Sequence, residues 1–218
     1  MKARPAAGGG RWVEISPDRV RGWLDGFYGR HDGATEQGLV LTGTSNGDTA
    51  TLLPPPGITG VDDLDGLLAA LRRPPRIALL LVRKGAVAVG VVDGTSITTS
   101  KVDRFYVQGR TAAGGWSQGR YARRRANQTD AAAGRAADIA ARVLLPYAPG
   151  GGADPADTVA ALVGGGDRQL VDAVLADRRL EPLLAIRHPH LLDVAEPRLS
   201  VLAEAAVAAR RVHIHLVP

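Results

Sequence analysis

Residues 77–107 read IALLLVRKGAVAVGVVDGTSITTSKVDRFYV, three β runs in succession joined by two tight turns. The first, residues 77–82, is the longest aliphatic run in the chain and stops at Arg83-Lys84. It has the length of a strand and is far short of the ~20 apolar residues that cross a bilayer. Residues 86–92 follow after Lys84-Gly85 and complete a hairpin. Asp93-Gly94 turns the chain again, into a strand expected from Thr95 to about Val107. Upstream, residues 39–44 and 49–53 flank Ser45-Asn46-Gly47-Asp48, a second hairpin signal.

Helices are expected around these strands. Ser16-Pro17-Asp18 supplies a cap, a first-turn proline and an acid, and Val20, Trp23, Leu24 and Phe27 follow at helical spacing. Residues 61–72 carry acids early and arginines late. Residues 121–145 are alanine-rich, with Ala136, Ile139, Ala140, Val143 and Leu144 as the apolar side. After a Gly/Pro connector at 146–155, the pattern alternates: strand 159–163, helix 168–176, strand 183–186, helix 198–209, strand 212–217. Antiparallel strands followed by β-α-β-α-β predict an α/β single domain, a mixed β-sheet with flanking helices in ribonuclease-H-like order.

Composition sets the class. The 218 residues suit one domain, or one with a small appendage, and 45% hydrophobic content is enough for a core. Cysteine is absent, which excludes disulfides, thiolate metal sites and a cysteine nucleophile. Residues 1–10 are small and basic, lack the apolar stretch of a signal peptide, and are expected to be a disordered tail. Residues 11–35 are expected as an N-terminal helical segment. A soluble, cytoplasmic protein is the expectation.

The charge is unevenly spread. Between Asp103 and Asp130 lie six arginines and no acid, so this segment's +6 exceeds the +5 of the whole chain. A concentration of this kind marks contact with a polyanion. It coincides with residues 109–127, GRTAAGGWSQGRYARRRAN, a glycine-rich loop that runs into an arginine cluster. Gly109, Gly114, Gly115 and Gly119 free the backbone to approach a ligand closely. Trp116, between glycine and serine, is suited to stacking on a base. Arg120, Arg123, Arg124 and Arg125 span two helical turns without an acid among them, a pattern for phosphate contact, and Arg110 adds to it from the loop.

Other chemistry is less well supplied. His188 with His190, and His213 with His215, stand two apart on strands and so share a face, but neither cysteine nor a compelling carboxylate joins them, and no metal is expected. Asp62, Asp63 and Asp65 serve a helix N-terminus. Gly164-Gly165-Gly166-Asp167 is a strand-to-helix turn without the lysine and spacing of a phosphate-binding P-loop. The β runs at 38–44 and 49–53 carry no acid, which argues against a two-metal nuclease. No Ser-His-Asp spacing stands out.

Gly114-Gly115-Trp116-Ser117-Gln118-Gly119-Arg120, with Tyr121-Ala122-Arg123-Arg124-Arg125 after it, resembles the catalytic loop of eukaryotic and archaeal class I peptide release factors, a GGQ tip followed by an arginine-rich helix start. It is closer still to the VLRF family of ribosome-quality-control peptidyl-tRNA hydrolases, in particular the actinobacterial branch, whose tip is the looser glycine-x-x-glutamine seen in Gly115 to Gln118. Trp116-Ser117 separate the glycines from the glutamine, so the strict GGQ is absent. A second Gln-Gly-Arg, at Gln108-Gly109-Arg110, is a rival; Gln118 is preferred because tandem glycines precede it and arginines follow it.

The resemblance implies a release-factor-like catalytic domain over 36–218 with its glycine-rich loop at 108–120. It implies a codon-independent peptidyl-tRNA hydrolase that frees nascent chains from stalled ribosomes or large subunits. Gln118, with Gly114, Gly115 and Gly119, would be the catalytic tip, and Arg110, Trp116, Arg120, Arg123, Arg124 and Arg125 would contact RNA. The implied partners are large-subunit rRNA and peptidyl-tRNA, with no cofactor, no membrane and no DNA specificity. Two alternatives stay open: an endonuclease cutting tRNA near its 3′ CCA end, and a non-catalytic ribosome- or RNA-binding module.

Overall fold

The computed structural model describes residues 2–104 and 118–218, with the backbone alone at residue 2 and at residues 118–129. The chain forms two compact units, Met1–Pro75 with Ala209–Pro218, and Arg76–Ala208. Among the described residues no helix is long and apolar enough to cross a membrane.

The first unit begins with β1 (Lys2–Pro5) and β2 (Arg11–Ile15), then α1 (Val20–Arg30), β3 (Ala34–Gln37), β4 (Val40–Gly43), β5 (Thr49–Leu53) and α2 (Leu64–Arg72). Ser16 makes no side-chain cap; Pro17–Arg19 is instead a single 3-10 turn leading into α1. In α1, Val20, Leu24 and Phe27 are buried at the expected spacing. Asp63 does cap α2, accepting from the Gly66 N–H at 2.7 Å, and Leu64, Leu67 and Leu71 are buried.

In the second unit the opening stretch folds as β6 (Ile77–Arg83), β7 (Ala86–Asp93) and β8 (Ser96–Arg104). There follow α3 (Gln118–Leu144), β9 (Ala161–Gly166), α4 (Arg168–Leu175), α5 (Glu181–Ala185), β10 (Arg187–Leu192) and α6 (Leu199–Ala208). The sheet order is β10-β9-β6-β7-β8. β7 is antiparallel to β6 and β8, and β9 is parallel to β6 and β10. Counted within the unit this is 5-4-1-2-3 with the second strand reversed, the ribonuclease-H-like arrangement. Both faces are covered. Ala78, Leu80, Val82, Val87, Val89 and Val91 pack with Ala136, Ala140 and Leu144 of α3 and Val171 and Val174 of α4. α6 lies against β6, β7 and β8. It comes so close at Gly90 that a Cβ there would sit 3.0 Å from Leu202 Cδ2 and 3.1 Å from the Thr99 carbonyl.

The last strand, β11 (Val212–Val217), rejoins the first unit, whose sheet runs β1-β2-β11-β5-β4-β3 with every pair antiparallel. One face of this sheet, through Val13, Ile15, Leu41, Ala50, Leu52, Val212 and Ile214, packs on α1 and α2.

The α/β class and the mixed sheet flanked by helices are as expected. Several details differ. The hairpin at 39–53 belongs to the antiparallel sheet of the first unit, together with the last strand. Residues 1–10 hold β1, paired with β2 from Lys2↔Glu14 to Pro5↔Arg11, where a tail without structure was expected. The three glycines of that stretch are its turn: all have positive φ, and a Cβ on Gly10 would lie 2.1 Å from the Leu216 carbonyl oxygen. Residues 183–186 fall on the helix α5 and its end, and the neighbouring strand is β10. Pro182 favours a helix's first turn, and Leu180 and Leu183 are buried one turn apart.

Candidate functional site

The element before the glycine-rich sequence is β8, the edge strand of the ribonuclease-H-like sheet. β8 ends at Arg104, still paired with Ala86 of β7, and α3 begins at Gln118. Residues 105–117, and with them Gln108, Arg110, Gly114, Gly115 and Trp116, lie outside the described residues. Gln118, Gly119, Arg120, Arg123, Arg124 and Arg125 are on the backbone of α3, and their contacts lie outside the described residues too. The helix opens three residues before the expected Tyr121, so Gln118 is its first residue.

β8 is an edge strand rich in Ser and Thr, with six of its nine residues exposed and the other three half-buried, as edges that resist aggregation are. α3 is 27 residues long, which at about 1.5 Å per residue makes roughly 40 Å of helix. Its foot is anchored through Ala133, Ala136, Ala137, Ala140 and Leu144, a stripe at helical spacing, nearly all alanine so that the helix sits close to the sheet. Asp138, on the outer side of this foot, accepts from Arg179 at 2.8 Å. Arg179 also bonds Asp177, and these bonds hold the Asp177 carboxyl down at about 2.

The secondary candidates resolve into structural roles. In the glycine run, a Cβ on Gly165 would meet Leu81 at 2.6 Å, and one on Gly166, where φ is +93°, would meet the Val82 carbonyl at 2.3 Å. The glycines let β9 pack between β6 and β10. Asp167 then caps α4 itself, accepting from the Gln169 and Leu170 N–H groups at 3.0 and 3.2 Å, so a carboxylate already fills the place a phosphate would take.

The histidine pairs are engaged as well. The His190 N–H donates to His188 Nδ1 at 3.2 Å, and the pairing register shifts between Arg187 and Leu191, so the simple two-apart geometry is lost. Burial, with His190 nearby, lowers the His188 pKa. His215 stacks on Trp12 at 4.6 Å and its Nε2 lies 3.1 Å from the Gly9 carbonyl. His213 faces Glu14, whose carboxyl burial would raise but which Arg211, His213 and Arg4 together hold below the usual range. Among the described residues no group of three or more His, Asp or Glu side chains is placed to hold a metal ion.

One further histidine, His31, has no signature in the sequence. It is buried, stacks on Phe27 at 4.1 Å, and places Nδ1 2.7 Å from the Phe27 carbonyl and Nε2 3.3 Å from Asp48 Oδ2. Gly43 makes room for the ring: a Cβ there would lie 2.8–2.9 Å from it. A lone histidine after a helix carries no signal of this in sequence; only the fold brings Asp48 to it.

The strand order and the crossover helices define a ribonuclease-H-like α/β unit, with the glycine-rich sequence falling between its third strand and first long helix. The chain belongs to the Actinobacteria/chloroflexi VLRF1 release factor family, whose sequence profile matches residues 75–215, the whole of the second unit. It is similar to peptide chain release factor subunit 1 of Aeropyrum pernix, 29% identical over 136 residues, which is 62% of this chain and 35% of that protein. The chain thus spans about a third of that relative. Among solved structures it is similar to an archaeal translation termination factor, aRF1, at a TM-score of 0.47 and 17% identity over 91% of this chain and 63% of that one. A second, described as an archaeal protein, gives a TM-score of 0.40 and 17% identity over 67% and 37% of the two chains.

Proposed function

We propose that this protein is a codon-independent peptidyl-tRNA hydrolase that releases nascent chains from stalled ribosomes or large subunits. The observation that carries this is the family match across residues 75–215, which includes the loop with Gln118 and the arginines after it. The scissile bond is the ester between the nascent chain and the 3′ adenosine of tRNA. Gln118 places a water against the ester carbonyl, or turns a backbone N–H to the developing oxyanion. Glutamine does not titrate at physiological pH, so its contribution is positioning and electrostatic stabilisation.

The backbone around it supports such a role. The first-turn N–H groups of an α-helix have no intrahelical acceptor and form its positive end, and Gln118 opens α3. Gly114, Gly115 and Gly119 allow close approach, Trp116 stacks on a base, and Arg110, Arg120, Arg123, Arg124 and Arg125 hold rRNA or the tRNA acceptor end. Hydrolysis of the ester is favoured over cutting of tRNA because β6, β9 and β10 carry no carboxylate, where a two-metal nuclease on this sheet would need several together. End-group analysis of tRNA recovered from stalled complexes tests this: intact CCA ends with freed peptide are expected, and shortened tRNA would make the protein a nuclease.

A further inference from the structure

A cleft of about 630 Å³ opens in the first unit, remote in sequence from the loop. Residues 1–74 lie outside the stretch matched by the family profile, and the release reaction proposed above gives this cleft no part. Its wall is a column of rings at four-residue spacing along α1 and the residue that caps its C-terminus. Trp23 stacks on Phe27 (5.6 Å, 28° between planes), and Phe27 stacks on His31 (4.1 Å, 28°). Phe27 and His31 are buried, and Trp23 is the partly exposed member.

The charged groups are divided in a telling way. Asp48, the acid lining the cleft, is turned to His31 at 3.3 Å. The two exposed arginines that line it, Arg11 and Arg30, form no ion pair among the described residues. Glycines shape the place: a Cβ on Gly26 would lie 3.1 Å from Arg30 Nη1, so the missing side chain lets the guanidinium lie along the helix. Gly10 presses the β1–β2 turn onto β11 at the opposite side.

An indole and two guanidinium groups around a cleft of small-molecule size suit a planar ring carrying an anion. Arginine forks match phosphate oxygens, and an aromatic face accepts any base by stacking. We propose that this cleft binds a nucleoside monophosphate unit, its base against Trp23 and its phosphate on Arg11 and Arg30. The unit is either a free nucleotide or one residue of an RNA strand.

The test is calorimetric titration of the full chain with AMP and UMP, with adenosine and inorganic phosphate as the separated halves, and with a uridine trinucleotide. Saturable binding of the monophosphates is expected, at least tenfold tighter than either half. It should weaken at least tenfold in Arg30→Glu and in Trp23→Leu, weaken less in Arg30→Lys, which keeps the charge and loses the fork, and be unchanged in Arg168→Glu, an exposed position on the second unit. Circular dichroism checks that each variant is folded. A trinucleotide that competes with AMP and loses affinity in Arg30→Glu makes the source RNA; one that does not compete makes it free nucleotide. Absence of saturable binding to any of these probes, or binding that Arg30→Glu and Trp23→Leu leave intact in folded protein, overturns the proposal.

Discussion

Several glycines of this chain stand where a side chain has no room. Gly164 to Gly166 signalled a turn, yet two of the three are there because neighbouring strands leave no room for a Cβ. Gly43 gave no signal at all, since its reason is the ring of His31, twelve residues away. Gly43→Ala is expected to destabilise the protein by about 1–3 kcal/mol, the usual cost of overpacking, measured by chemical denaturation; a change under ~0.3 kcal/mol would mean the ring moves aside freely.

His188 makes a pH-dependent prediction. Its pKa is lowered by burial and by His190, and its Nδ1 accepts a backbone N–H, so the folded state favours the neutral ring. The unfolded chain takes up a proton as pH falls through about 6.5, and the folded chain does so only at lower pH. The contribution is therefore fully present above that pH and is lost as pH falls below it. Stability measured from pH 7.5 to 5 should decline less steeply in His188→Gln than in the parent chain. Equal slopes would assign the decline to other groups.

At the scale of elements, what was local was legible. β6, β7 and β8 follow from runs of Val, Ile, Leu and Thr closed by Lys-Gly and Asp-Gly turns, and the stripe of α3 follows from alanines at helical spacing. What depends on distant partners was not. β1 and β2 are short and exist because β11, some two hundred residues on, pairs with β2. A four-residue apolar run such as 183–186 fits a strand or a helical turn equally well. For α3 the alanine foot is the part that fixes the helix to the sheet. Ala140→Leu, at a position with no exposure and packed against the sheet, should cost about 1–3 kcal/mol in thermal or urea unfolding. Further along the same helix, Arg124→Glu should weaken co-sedimentation with large subunits and flatten its dependence on salt, because it removes a cation proposed to face phosphate. Binding that is unchanged at every salt concentration would remove that arginine from the contact.

At the scale of the whole molecule, the order of elements was legible and their division was not. The sequence order of strands and helices gives the ribonuclease-H-like unit once β6 is taken as its first strand. Starting that sheet at residue 38 merged two sheets, because hairpins look alike wherever they end up. The division also has a mechanical consequence: β11 lies between β2 and β5 in the six-stranded sheet. Removing residues 209–218 should leave β2 and β5 without their shared partner. Hydrogen exchange is then expected to rise at Val13 and Leu52 and stay slow at Leu80 and Val89 of the second unit. A uniform rise across both would show that the two units unfold as one.

The proposed catalytic tip was legible only through its motif, and its chemistry is tested by function. Peptide release from stalled ribosomal complexes should be abolished by Gln118→Ala, with co-sedimentation with large subunits preserved, and should persist in Gln108→Ala. Release that survives Gln118→Ala and fails with Gln108→Ala would contradict the assignment of the site.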